Sequence, residues 1–312
     1  MDGRENAGWV LETAEAPWTP RDSMGHVVYD GKMWIMGGFI PTRVNDVWWS
    51  SDGKTWTEAT PEAPWAVRNL PNCVVFDDKM WIMAGGSYVD NRKGNDHIAY
   101  NDVWSSTDGV NWELATDNAA WSPRSAATAI VFDDRMWIMG GMGWGQGRQT
   151  SHDVWYSDNG RDWRLATDYA PWCARSMQTS VVFDGKMWVI GGGIYDESVY
   201  ANSAIDFGDV WCSSDGVEWQ EVTGTAAWPP RRFHRSVVYD DRIWVIGGSH
   251  YGNRRDVWHS TDGADWVRDG EAAWSVRHEP GALVFEDRIW VIGGFGKTLY
   301  NDVWSYRPQT LG

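Results

Sequence analysis

Apolar residues come in runs of four or five along the chain, separated by two polar residues or by a longer polar stretch. Ser236-Val237-Val238-Tyr239 is followed by Asp240-Asp241 and then by Ile243-Trp244-Val245-Ile246; Met33-Trp34-Ile35-Met36 follows Asp30-Gly31 in the same way. Runs this short, rich in β-branched and aromatic residues and bounded by turn residues, predict strands rather than helices. The Asp-Gly step between two runs predicts a tight hairpin. A Gly-Gly pair ends the second run, a third run carries Asp-Val-Trp, and a turn such as Asp52-Gly53 or Asn159-Gly160 opens a fourth. Glycine at the end of the second run suits a positive φ or a close backbone approach. The pattern predicts units of four short antiparallel strands.

The unit recurs. Asp-Val-Trp begins at Asp46, Asp102, Asp153, Asp209, Asp256 and Asp302, with spacings of 56, 51, 56, 47 and 46 residues. A Gly-Gly pair precedes each, with Gly85-Gly86 the pair of the second unit. Another Trp follows ten residues after the Asp in the first five units, and the sixth copy of that Trp stands at the N-terminus as Trp9. Each unit closes on a Trp with an Arg three residues later: Arg21, Arg68, Arg124, Arg175, Arg231 and Arg277. Repeats of this period mean a radial or stacked architecture. Four-stranded units arranged radially make a propeller, which protects its strand edges. The displaced Trp9 predicts that the N-terminal segment supplies the outer strand of the last blade. The expected fold is an all-β six-bladed β-propeller over residues 7–306. Its blades run over about 21–65, 68–121, 124–172, 175–228, 231–274 and 277–306 plus 7–18, with tails at 1–6 and 307–312.

The Gly-Gly pair, the later aromatic and Trp, and the Arg before the next unit resemble the kelch repeat in all six copies. The scaffold is thus similar to that of the galactose oxidase central domain and of sialic acid mutarotase. The resemblance implies a kelch-type propeller that binds a ligand at the loop face of its central channel. Kelch-type enzymes also include the iron-dependent specifier proteins of plants. Their Glu, Asp and His at four-residue intervals have no match here, nor has galactose oxidase's copper set with its Tyr–Cys crosslink. Ser-x-Asp-Gly-x-x-Trp stretches such as Ser50 to Trp56 look like sialidase Asp-box hairpins one residue short, and read as turn chemistry.

Composition adds exclusions. The formal net charge is −16, which disfavours a nucleic-acid partner. No apolar run is long enough to span a membrane. The first residues lack the apolar core of a secretory signal, so a full-length chain would be cytoplasmic. A monomer is expected. Cys73, Cys173 and Cys212 are odd in number and widely spaced, which predicts three buried or half-buried thiols rather than disulfides.

Function is sought in whatever the six units do not share. Of 26 Trp residues, 24 fall into four classes of six, leaving Trp49 and Trp144. Each shared Arg has a shared Asp available as partner and a Trp to stack on, so the six arginines read as part of the blade. The connection from Gly-Gly to Asp-Val-Trp varies, at 8, 16, 12, 17, 8 and 8 residues. Variable loops on a rigid scaffold are where binding residues sit. Blades two to four should therefore build a wall carrying Tyr88, Trp144, Arg148, Tyr195 and Glu197, and aromatic faces beside polar tips suit a glycan, a peptide or another polar small molecule.

The floor of the mouth should come from residues just after each shared Arg and each Gly-Gly. Blades five and six differ there, with Arg232-Phe233-His234-Arg235, His250-Tyr251 and His278-Glu279. Arg232, Phe233 and Tyr251 are further ligand-binding candidates. His234, His250, His278 and Glu279 could hold a divalent metal such as Fe²⁺ or Zn²⁺. Alternatively His234, Glu279, Arg235 and Glu197 could supply acid–base catalysis in an isomerase- or mutarotase-like enzyme, or in a metal-dependent lyase-type one. His26, His152 and His259 read as structural.

Overall fold

The computed structural model describes residues 8–41, 43–88, 97–143, 149–194 and 205–308, with the Tyr88 and His97 side chains left aside. Among these residues there is no helix, and six four-stranded antiparallel sheets form the blades. In the first, Gly25–Tyr29, Lys32–Phe39, Arg43–Ser50 and Thr57–Thr60 lie side by side in chain order. The first strands of successive blades touch one another all the way round, including Gly25–Tyr29 against Gly281–Phe285, so the ring is closed and these strands line its axis. The N-terminal strand Trp9–Thr13 pairs antiparallel with Leu299–Tyr306, placing Trp9 opposite Tyr306, and completes the sixth blade.

The second strands read as unbroken apolar runs because both sheet faces are covered. Met33 and Ile35 pack with Leu283 and Ile292 of blade six, while Trp34 and Met36 pack with Met80 and Ile82 of blade two. Indole edges tie the Trp that closes one blade to the next blade. Trp18–Trp56, Trp65–Trp112, Trp121–Trp163, Trp172–Trp219 and Trp228–Trp266 are edge-to-face pairs, and Trp274–Trp9 is the sixth at 5.7 Å and 89°. The tight turns tie blade to blade. Ser50 Oγ accepts the Gly53 amide and Asp52 accepts those of Lys54 and Thr55. The turn glycine of one blade lies flat under the second-strand Trp of the blade before it. A Cβ on Gly109 would stand 2.2 Å from the Trp34 ring.

The shared arginines are wholly internal. Each is 0% exposed and grips the Asp of its own blade with two bonds, as in Arg231 Nη1–Asp256 Oδ1 at 2.9 Å and Nη2–Oδ2 at 2.8 Å. The Trp two residues after each Asp donates its indole N–H to the same carboxylate. These are blade parts and present no anion-binding ring. Each Arg Nη1 also donates to the carbonyl sixteen residues on, and that bond corrects the alignment of blade two. Arg68 reaches Ala84 O where the other five reach the first glycine of their pair. Ala84 and Gly85 carry the positive φ of the pair, at 57° and 90°, so they replace Gly85-Gly86 as its equivalent. The thiol expectation also changes at one place. All three cysteines are unpaired, Cys212 is buried and Cys73 half-buried, but Cys173 is exposed.

Candidate functional site

The chain reaches the axis in the five residues after each shared Arg, and each step forms a ring of six. One residue on, Asp22, Asn69, Ser125, Ser176, Arg232 and His278 bridge back to the backbone just past the glycine pair and face the loop side. Two residues on, Ser23, Leu70, Ala126, Met177, Phe233 and Glu279 form a collar. All six collar residues adopt left-handed φ, from 52° to 61°. A non-glycine residue there costs about 1–2 kcal/mol, yet the conformation persists because it aims each amide at its neighbour's carbonyl. Ser23 N donates to Glu279 O at 3.1 Å, Leu70 N to Ser23 O at 2.9 Å, Met177 N to Ala126 O at 2.8 Å, Phe233 N to Met177 O at 3.2 Å and Glu279 N to Phe233 O at 3.0 Å. Five of the six blade junctions carry this link.

The collar is lopsided. Leu70, Ala126, Met177 and Phe233 cluster with Met142 as an apolar arc. Ser23 and Glu279 make the polar arc, where blade six meets blade one. Below the collar, the starts of the first strands enclose a cavity of about 150 Å³. Arg235, His26, Asn72, Cys73, Thr128 and Thr179 are among its lining. Side chains there mesh between blades: the residue five past one Arg leans on the residue four past the previous Arg. Cys73 occupies the space a Cβ on Gly25 would need, and His26 rests on Gly281. Ser180 bonds Thr128, and Ser236 bonds Thr179.

The charged residues gather at the polar arc. Ser23 Oγ lies 2.8 Å from Asp22 Oδ1 and 2.5 Å from Glu279 Oε2. A hydroxyl has one hydrogen to give, so Ser23 donates to one of the two carboxyls at a time. Burial, and then the Glu279 charge, push the Asp22 carboxyl up to about 8 despite the bond from Ser23 and the nearby Arg235 and Arg43. Arg235 projects into the cavity and anchors its Nε on the Pro280 carbonyl at 2.6 Å. Burial, with Arg235 beside it, pushes His26 down to about 4, so it is neutral. His278 is also held low by burial, against the pull of Glu279.

Of the predicted residues, Glu279, Arg235, His278 and Phe233 come together here. Phe233 stacks on His278 at 5.3 Å. The structure does not bring His234 or His250 into this group. His234 is 0% exposed, wedged between blades four and five, with Nε2 on Thr179 Oγ1 at 2.9 Å and its ring beside Trp228. It is neutral because burial and then Arg231 and Arg235 depress it. A fully enclosed imidazole serves packing, and neither the catalytic nor the metal role expected of it has a path to solvent. His250 points the other way, its Nδ1 2.8 Å from Asp206 Oδ2, while Arg232 holds Asp206 Oδ1 at 2.7 Å. Asp206 arrives on a short ribbon, Gly193–Ile194 with Ile205–Asp206, at the base of the long blade-four loop. Tyr251 stands over His250 at 4.4 Å and is 89% exposed. Trp144, Arg148, Tyr195 and Glu197 lie outside the described residues, as does the side chain of Tyr88, whose backbone pairs with His97.

Sequence reasoning missed Asp22 and Ser23, and set His26 aside as structural. His259 does pack on Trp244, and His152 on Tyr169. Asp22 and Ser23 occupy the same offsets from Arg21 as His278 and Glu279 do from Arg277. Comparing those offsets across all six blades exposes them without coordinates.

Known proteins share this architecture. A family model for the KLHDC2/KLHL20/DRC7 Kelch-repeats domain matches residues 106–248. The solved structure of YjhT superposes with a TM-score of 0.75 over 96% of this chain and 98% of that one, at 15% identity. The chain folds as a six-bladed propeller, and residues 106–248 of it match the kelch-repeat model. A further relative, the dynein alpha chain of the flagellar outer arm of Chlamydomonas reinhardtii, is 27% identical over 180 residues, which is 50% of this chain and 4% of the dynein. The chain thus spans a small fraction of that relative's length. The residues that all six blades share are those the common fold requires. The polar arc of the collar is what the shared pattern does not explain. No helix among the described residues is long and apolar enough to cross a membrane.

Proposed function

We propose that this kelch propeller binds a small polar molecule, or the terminal unit of a glycan, in the axial cavity, with Arg235 as its charged anchor. The observation that supports this most is the uneven channel wall. A half-buried guanidinium, an imidazole and a row of hydroxyls occupy one part, while Met24, Met177, Phe233 and Pro71 offer apolar surface elsewhere. Polar groups that fix orientation beside apolar walls are the makings of a small-molecule site. Size argues in the same direction. A cavity of about 150 Å³ takes a molecule on the scale of benzene, so a peptide would enter by one side chain at most. Ligands with a carboxylate or adjacent hydroxyls match a guanidinium that presents several donors.

The test is a thermal-shift panel of small hydroxy acids, sugars and sugar acids, followed by titration calorimetry of any hit. A ligand at about 100 times its Kd adds roughly 2.7 kcal/mol of stability, a clear rise in Tm. The rise should vanish in Arg235→Ala. A hit whose effect is unchanged by that substitution would place binding elsewhere, as would a hit lost only when the long loops of blades two to four are shortened.

A further inference from the structure

We propose that Asp22, His278 and Glu279 form a site for one divalent first-row metal ion at the loop-side rim of the collar. One imidazole nitrogen and two carboxylate oxygens from these residues all lie within 4.8 Å of one another. Asp22 and Glu279 are 4% and 6% exposed, so the oxygens are largely stripped of water.

Two features of the geometry favour a cation at this point. The first is the tautomer of His278. Asn253 Nδ2 donates to the Phe295 carbonyl at 3.1 Å, which turns Asn253 Oδ1 toward His278 Nδ1 at 2.7 Å. An amide oxygen only accepts, so Nδ1 carries a hydrogen, and in the neutral ring Nε2 is the lone pair. That lone pair faces Glu279 Oε2 at 3.9 Å. The distance is too long for a hydrogen bond, and two acceptors face each other across it. A metal with ligand bonds of about 2.0–2.2 Å fits between them after a small contraction. The second is Ser23, whose hydroxyl touches both carboxylates and holds their oxygens together on one side of the group.

The surroundings fit an ion of the Mn²⁺, Fe²⁺ or Zn²⁺ kind. One imidazole with two carboxylates suits these ions, whereas Ca²⁺ and Mg²⁺ prefer oxygen alone. A histidine whose second nitrogen is fixed by an amide oxygen has the outer-sphere support usual for metal-bound imidazole. Arg235 and Arg43 act on Asp22 from the other side, so the two carboxylates serve both the guanidiniums and the ion, and affinity should be moderate. The chain's formal charge of −16 draws cations toward it. Three protein ligands leave further coordination positions open to water or a bound molecule. The site stands whatever occupies the channel.

The test uses the purified chain, stripped with chelator, dialysed and titrated calorimetrically with Zn²⁺ and with Mn²⁺, followed by elemental analysis. One equivalent is expected. His278→Ala and Glu279→Gln should weaken it at least tenfold, Asn253→Ala by about 10–100-fold as an outer-sphere partner, and His250→Ala should leave it unchanged. No uptake of either ion at millimolar concentration overturns the proposal, as does equal uptake by the His278 and Glu279 variants. Should those variants not fold, Mn²⁺ broadening of histidine ring signals in the unmodified protein decides: His278 must broaden first, and broadening confined to His250 refutes the site.

Discussion

Replacing Asp256 by Ala removes the carboxylate from the most deeply buried of the six Arg–Asp clamps. Asp256 and Arg231 have side-chain exposures of 7% and 0%. Arg231 keeps its bonds to the Gly247 and Pro229 carbonyls but loses both carboxylate bonds, and the Trp258 N–H loses its acceptor. Removing one partner of a buried pair costs about 3–5 kcal/mol, because a charge is left without compensation. The orphaned indole N–H adds about 1 kcal/mol or more. Against the roughly 5–15 kcal/mol that holds a typical domain folded, that is about a quarter of the reserve or more. Urea unfolding followed by tryptophan fluorescence should show the midpoint falling with little change in slope. The physical claim is that the loss comes from the stranded charge rather than from the pair's own attraction. The double variant Asp256→Ala with Arg231→Met, which keeps volume over Trp228, should therefore be more stable than Asp256→Ala alone. A double variant as unstable as the single one would refute this reasoning. The pair also has a pH signature. Burial alone would raise the Asp256 carboxyl, but the bonds and charge of Arg231 hold it below the ordinary carboxylate value. Its contribution is therefore complete above the unfolded value of about 3.9 and is lost as pH falls through the lower folded value. The gap between wild type and Asp256→Ala should close along the acid limb.

Other outcomes follow from the contacts between and within blades. Gly109→Ala puts a methyl carbon 2.2 Å from the Trp34 ring at a φ of +73°, and should cost about 2–4 kcal/mol from overpacking and left-handed strain together, read as a drop in the urea midpoint. Trp9→Ala removes the stack on Tyr306 and the edge contact with Trp274; it should destabilise by about 2–4 kcal/mol and raise protease sensitivity first in blade six. In the native protein a thiol reagent should count one reactive cysteine, Cys173. Cys73, pushed up to about 12 by burial, and the enclosed Cys212 should react only after unfolding; three rapid equivalents would contradict the packing around them.

The periodic part of this protein is legible along the chain because every blade solves the same local problem. Second strands such as Met33–Met36 must be apolar on both faces, turns such as Asp52-Gly53 must admit a neighbour's indole, and each Arg needs its Asp. Such requirements recur at fixed spacing, so all-β architecture, blade number and the N-terminal closing strand could be read directly. Blade two slipped by one residue because Ala84 takes a conformation normally given to glycine, which only the Arg68 bond to its carbonyl reveals. The functional part is different in kind. Ring closure sets Ser23 against Glu279 across 256 residues, and nothing local to either predicts that contact. His234 and His278 look alike as histidines near a shared Arg. One lies three residues past its Arg and is folded between blades, while the other lies one residue past and faces the mouth. The sequence by itself determined which residues could reach the axis. The left-handed turn of the collar and the closure of the ring decided which of them meet, because both are properties of the assembled circle rather than of any one blade.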